Sequence, residues 1–313
     1  MLHYVFLAMK RIRKRIRRIL KQMTYPFTTV MVIASGFLFR AASREQALRI
    51  ACFIGDIAYG FLRIRRRLVE KNLRLTFPEK TLAEIRKIAR QSYQNQVLNF
   101  IELLRIPLIS SKEDARSLVE IRADRSFTER LSMKQGSVVV SGHLSSWEVI
   151  GVCTGMLLAP IHFVVKPLKN SFLDRYLNRL RVRNGNSVIY KDQSLRQGLH
   201  VIKNSGVLTV LGDQSNKEGD FYVEFLGRKS TIFMGPAFWA LKAGVPLFVE
   251  TSRRHESGRY VIEITEVDTK DLSYNKSDIR ELTVRYTRAL EEFIRKHPEE
   301  WLWLHDRWKR SPA

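Results

Sequence analysis

The β-branched run Val138-Val139-Val140 stops at Ser141-Gly142-His143 and gives way at once to a stretch of helical character, and this strand-turn-helix pattern recurs down the chain. Apolar runs at 137–141, 162–165, 187–190, 206–211, 221–226, 245–251 and 259–265 are too short for helices and read as strands. Between and after them, 144–158, 171–182, 193–204, 234–243 and 278–296 read as helices. Such alternation implies an α/β fold with a mostly parallel sheet covered by helices, the last two strands forming an antiparallel hairpin around His255 to Gly258. Upstream, Leu82, Ile85, Ile88, Ala89, Tyr93 and Val97 recur at three and four, predicting a packing helix from Thr81 to Ile106.

Ligand crevices in α/β sheets form at the carboxyl ends of strands, and two polar groups fall there. His143 follows the first strand and Glu148 lies five residues on; with a helix starting at Leu144, Glu148 falls in its second turn. From there the carboxylate would reach back to one imidazole nitrogen, fix the tautomer and leave the other nitrogen to take a proton from an alcohol. The same residues also read as a capped helix with a satisfied histidine and an ordinary acid. Asp213, at the end of Val207 to Leu211, either orients Arg181 or caps its strand. Arg181 is one candidate donor to an oxyanion, together with backbone N–H groups near Gly142. With Arg175, Arg179 and Arg183 it equally describes a basic face that holds phosphate.

Taken in order, a longer set of segments resembles the bacterial lipid A biosynthesis acyltransferases, the late acyltransferases. They are Arg66-Arg67, Glu70-Lys71-Asn72-Leu73, Phe77-Pro78-Glu79, His143 to Glu148, Lys166-Pro167 with Asn170 to Asp174, and Arg181 with Arg183. Gly212-Asp213-Gln214, Phe225-Leu226-Gly227-Arg228, Gly235-Pro236-Ala237 and Glu300-Trp301-Leu302-Trp303-Leu304-His305 complete the set. The resemblance implies a glycerolipid-acyltransferase-like fold and a place on the cytoplasmic face of a bacterial inner membrane. It also implies acyl transfer from a thioester on acyl carrier protein, or from acyl-CoA, to a hydroxyl of a lipid A precursor, without a covalent acyl-enzyme. His143 and Glu148 would then be the catalytic pair, with Arg181 and Asp213 as further polar residues. Lys166 departs from the arginine that family members often carry before the proline; it keeps the charge and loses the bidentate geometry suited to phosphate or carboxylate.

Charge agrees with this. The 313 residues hold 54 Lys and Arg against 31 Asp and Glu, a net +23 that calls for a polyanionic partner. An acidic acyl carrier protein, anionic membrane lipid and a phosphorylated glycolipid acceptor all qualify. Lys10 to Lys21 carries eight basic residues and no acid, with Ile12, Ile16, Ile19 and Leu20 at helical spacing, as in a helix that lies on anionic lipid. The uncharged segment Gln22 to Phe39 that follows is eighteen residues long and interrupted by Pro26 and Gly36. A nucleic-acid-binding arm has no need of it, so no nucleic-acid partner is expected. Its far flank is basic again at Arg40, Arg44 and Arg49, which favours a segment that dips into the inner leaflet and returns, paired with Ala47 to Leu62, rather than a single crossing. No cleaved signal peptide is expected. The expected division is a membrane-associating region over 1–62 and a helical lead-in plus acyltransferase domain over 63–313.

Other chemistries lack their signatures. There is no Gly-x-Ser-x-Gly elbow, no His-Glu-x-x-His, no Walker loop and no dinucleotide fingerprint, so neither a bound cofactor nor a metal is expected. Cys52 and Cys153 exclude a disulfide framework, and Cys153, on a helix's apolar face, reads as core. Trp301, Trp303 and Trp308 stand beside His305, Arg307 and Lys309 and fit a headgroup interface and a packed core equally well. The alternatives are the same transfer to another glycolipid, such as a mannosylated phosphoinositide, or to a lysophospholipid, and a non-enzymatic basic protein that binds membrane or nucleic acid.

Overall fold

Val138, Val139 and Val140 are buried at the centre of the molecule, where β-branched side chains pack well on both faces of a pleated strand. In the computed structural model, which describes residues 22–216 and 221–309, they belong to β2 (Ser137–Ser141). The basic stretch Lys10 to Lys21 lies outside the described residues. Before the sheet come α1 (Tyr25–Ala41), α2 (Arg44–Asp56) with a π turn (Ile57–Phe61), α3 (Arg66–Thr76), α4 (Leu82–Arg105) and α5 (Lys112–Leu118). The body continues with β1 (Val119–Ala123), α6 (Arg125–Ser132), β2, α7 (Trp147–Leu157), β3 (Ile161–Val165), α8 (Ser171–Arg181), β4 (Ser187–Tyr190) and α9 (Ser194–Lys203). Next are β5 (Val207–Leu211), β6 (Tyr222–Phe225), β7 (Arg228–Thr231), α10 (Gly235–Ala243), β8 (Leu247–Arg254), β9 (Tyr260–Val267) and α11 (Lys276–Lys296).

Seven strands form one sheet in the order β1-β9-β8-β2-β5-β3-β4. The block β8-β2-β5-β3-β4 is parallel throughout. β9 turns back antiparallel to β8, as the sequence implies, and β1 runs parallel to β9. The fold is thus α/β, with a mostly parallel sheet covered by helices. Two strands depart from expectation. Val119-Glu120-Ile121-Arg122-Ala123 forms an unforeseen edge strand, and the run 221–226 leaves the main sheet. It pairs with Arg228–Thr231 across a two-residue turn in which Leu226 and Gly227 take φ of 52° and 76°. β7, Arg-Lys-Ser-Thr, has no apolar residue to signal a strand.

Alternation at period two sends Val138 and Val140 to one face, into a core with Val210, Trp239, Tyr286 and Trp303. Val139 faces the other, with Val152, Phe248 and Ile262. Helix α4 is begun by a capping box between Thr81 and Glu84, and Ala47 and Ala51 of α2 pack on its Leu98 and Ile101. Asn170, the N-cap of α8, donates to Tyr25 O at 3.1 Å and so ties α1 to the body. Among the described residues no helix is long and apolar enough to cross a membrane. The segment Gln22 to Phe39 contributes instead to a helix lying on the body, with Phe27, Val30, Met31, Phe37 and Leu38 exposed.

β2 connects through α7 to β3, but β5 fills the place between them, so the carboxyl ends of β2 and β5 are neighbours. Ser141 and Leu211 are in register, and Gly212 N donates to Ser141 O at 2.8 Å. His143 and Asp213 each lie two residues beyond that pair.

Candidate active site

The register of β2 and β5 joins His143 to Asp213. The carboxylate Oδ1 is 2.7 Å from His143 Nδ1, and Oδ2 accepts the backbone N–H of His143 at 3.0 Å. Because Oδ1 needs a donor, Nδ1 carries the proton in the neutral ring and the lone pair lies on Nε2. Asp213 is buried, its side chain 1% exposed, while that of His143 is 18% exposed. Burial alone would push the Asp213 carboxyl up, but the charge of protonated His143, the two His143 hydrogen bonds and one from Trp301 outweigh it and hold it at about 2. The carboxylate is therefore ionised at neutral pH. Gln214 Nε2 lies 3.1 Å from His143 Nε2, so the amide stands where a proton-donating hydroxyl would have to bind.

Glu148 does not orient His143. Helix α7 starts at Trp147, three residues later than the sequence suggests, because Leu144 bridges to Trp301 and Ser145 takes a left-handed φ of 53°. That places Glu148 in the first turn, where it forms a two-pronged pair with Arg181: Nε donates to Oε2 at 2.8 Å and Nη2 donates to Oε1. Burial would push the Arg181 guanidinium down, but the hydrogen bonds and charge of Glu148 hold it above its ordinary value. Arg181 Nη1 also donates to Asn178 Oδ1 at 2.8 Å, and Asn178 in turn donates to Asp174. Asp213 accordingly neither orients Arg181 nor caps its own strand. The expected backbone donors near Gly142 are also engaged: His143 N on Asp213, Leu144 N on Gly142 O and Ser145 N on Glu300 O.

The C-terminal segment builds the other wall. Leu302 N donates to His143 O at 3.2 Å, and Trp301 Nε1 donates to Asp213 Oδ2 at 2.8 Å. Helix α4 fixes this segment through Ser92 Oγ to Trp301 O at 2.9 Å and Asn95 Nδ2 to Glu299 O at 2.9 Å. Trp301 and Trp303 are buried with ring centroids 4.7 Å apart, which answers the choice left by the sequence: they are core residues, not a headgroup interface. Nothing local marks Trp301 or Gln214 as partners of the His143 pair. Lys166, just past β3, and Arg183, beyond α8, are exposed, and no described hydrogen bond ties either to that pair. Cys153 is buried in the core and burial pushes its thiol up to about 12, so it is no nucleophile at neutral pH.

A buried carboxylate beside an imidazole whose second nitrogen meets only the Gln214 amide is an arrangement with the parts of a general base, at a sheet's carboxyl edge. The model for the bacterial lipid A biosynthesis acyltransferases matches residues 15–310. This chain belongs to that family. Among curated relatives of this lipid A acyltransferase family member, the Escherichia coli (strain K12) lipid A biosynthesis palmitoleoyltransferase is 22% identical over 271 residues, covering 84% of this chain and 86% of that protein. The lauroyltransferase of the same organism is 23% identical over 267 residues, covering 84% and 85%. Among solved structures, the crystal structure of the 1-acyl-sn-glycerophosphate (LPA) acyltransferase from Thermotoga maritima aligns with 80% of this family member and 97% of its own chain, at TM-score 0.36 and 15% identity.

Proposed function

We propose that this family member transfers a fatty acyl group from a thioester on acyl carrier protein to a hydroxyl of a lipid A precursor, with His143 as general base. The observation that carries the mechanism is the 2.7 Å contact between His143 Nδ1 and buried Asp213, which leaves Nε2 as the acceptor of a proton. The acceptor hydroxyl displaces the Gln214 amide from Nε2 and gives up its proton there as its oxygen forms a bond to the thioester carbonyl carbon. The carbon–sulfur bond breaks as the tetrahedral intermediate collapses, and His143 returns the proton to the departing thiolate. A placed general base contributes about a hundred- to ten-thousandfold in rate. Arg181, fixed as a cation by Glu148 and Asn178, is the candidate stabiliser of the oxyanion, since the amides of the His143 turn are engaged.

The substrate class follows from the family and from its named relatives, and the net charge of +23 suits an acidic carrier protein and a phosphorylated lipid. Attachment to the inner face of the inner membrane is part of the proposal. It is supported by the exposed apolar face of α1 and by Phe61, 82% exposed, and Leu62 at the π turn, flanked by Arg63 and Arg65. The deciding experiment is transfer of labelled acyl groups from acyl carrier protein to a lipid A precursor by wild-type, His143→Ala and Asp213→Ala enzyme at matched expression. Product from the wild type alone supports the proposal; undiminished product from His143→Ala overturns the mechanism, and no product from the wild type overturns the donor–acceptor pair.

A further inference from the structure

The segment from Glu300 to His305 plays no part in the chemistry proposed above, yet it is stitched to the turn that bears His143. Leu144 bridges to Trp301, Ser145 N donates to Glu300 O at 2.8 Å, and Leu302 N donates to His143 O. We infer that Trp301 is a positioning residue for the base: its indole N–H, 2.8 Å from Asp213 Oδ2, turns the carboxylate so that Oδ1 faces His143 Nδ1. The inference rests on reading His143 as the base.

A carboxylate with donors on one oxygen only can rotate about its χ2 torsion, which is broad and roughly two-fold. Here the donors come from two elements far apart in the chain. The backbone N–H of His143 and the indole N–H of Trp301 both meet Oδ2, while Nδ1 of His143 takes Oδ1. The indole cannot drift, because its ring packs on Phe225 at 5.6 Å and on Trp303 at 4.7 Å between centroids and its backbone oxygen is held by Ser92. The other titratable or charged groups that act on Asp213 are His305 at the end of that segment, Arg307 two residues beyond it and Tyr286 on α11. No hydrogen bond joins any of these three to Asp213 among the described contacts, so the indole is the one side-chain donor besides His143.

Removing the indole N–H leaves Oδ2 with the backbone N–H of His143 as its one donor, so the carboxylate is free to turn and His143 Nδ1 loses its aligned acceptor. The test is Trp301→Phe, together with benzothienylalanine at position 301, which replaces the N–H by sulfur and keeps the bicyclic ring should phenylalanine disturb the core. The tautomer of His143 is read from ¹⁵N shifts in ¹⁵N-histidine-labelled protein, a readout that needs no substrate and therefore does not depend on the proposed reaction. The expected result is a mixture of Nδ1–H and Nε2–H tautomers in both variants, where the wild type holds the Nδ1–H form. Where acyl transfer is measurable, kcat is lower by about ten- to thirtyfold, as for loss of a hydrogen bond to a charged group. A tryptophan that only fills the core would lower thermal stability and leave the tautomer in place. A His143 tautomer unchanged in the folded benzothienylalanine protein overturns the inference.

Discussion

Replacing Asp213 by asparagine tests which carboxylate serves the base, and its effect can be worked out from three contacts. Oδ2 receives two donors, His143 N at 3.0 Å and Trp301 Nε1 at 2.8 Å, whereas Oδ1 faces only His143 Nδ1 at 2.7 Å. Asparagine has one carbonyl oxygen, and it will occupy the Oδ2 position, where two N–H groups would otherwise be left buried without an acceptor. Its NH2 then points at Nδ1, which must become an acceptor, so the proton moves to Nε2 and the lone pair needed by the substrate hydroxyl disappears. Loss of most of a general base's contribution follows, a fall in kcat of about a hundred- to ten-thousandfold, with the folded protein otherwise intact. Glu148→Gln should behave differently. It removes the charge that pairs with Arg181 and leaves the His143 tautomer untouched, so activity falls without moving the acid limb of the pH profile. The assay is acyl transfer from pH 5.5 to 9 for wild type and both variants, with the His143 tautomer read from ¹⁵N shifts. Asp213→Asn retaining activity within about threefold of wild type, or Glu148→Gln abolishing the His143 acid limb, would refute the assignment.

Burial pushes the carboxyls of Glu250 and Glu300 up to about 7 from an ordinary 4.5, so between those values the folded state binds more protons than the unfolded one. Stability should fall as pH rises from about 4.5 to about 7, and Glu250→Gln should flatten that slope in thermal melts; an unchanged slope rejects the buried acid as its source. Asp213 acts with opposite sign: its carboxyl lies near 2 instead of 3.8, so roughly 2 kcal/mol is fully present above about pH 4 and is lost as pH falls through about 2, which acid unfolding of wild type and Asp213→Asn will compare. Gly155→Ala should cost about 1–3 kcal/mol in urea unfolding, because a Cβ there would lie 2.0 Å from Asn186 Oδ1, which accepts the Ile161 N–H; a neutral result would mean that the loop at Asn186 yields freely. Phe61→Ser with Leu62→Ser should weaken binding to vesicles containing anionic phospholipid about tenfold or more and leave activity on detergent-dispersed lipid unchanged, whereas undiminished vesicle binding would remove the π turn from the membrane surface.

Much of the fold was legible along the chain. Short apolar runs alternating with periodic helices require strands and covering helices wherever they fall, and the residues on the ends of those strands could be named beforehand: His143 after β2 and Asp213 after β5. What could not be read was their pairing. The helix after His143 starts later than its composition suggests because Trp301, more than 150 residues downstream, bridges to Leu144 and holds Ser145 in a left-handed turn. That delay turns Glu148 toward Arg181 and leaves the imidazole to Asp213. The hairpin of β6 and β7 escaped notice for a related reason, since the pairing partner of Tyr222–Phe225 is a strand without an apolar residue. Local sequence determines which segments become strands and helices, through side-chain shape and the period of apolar residues. Strand order alone decided that the ends of β2 and β5 lie side by side, and so which carboxylate meets the histidine, because a hydrogen bond depends on distances of about 3 Å that only the packed sheet sets.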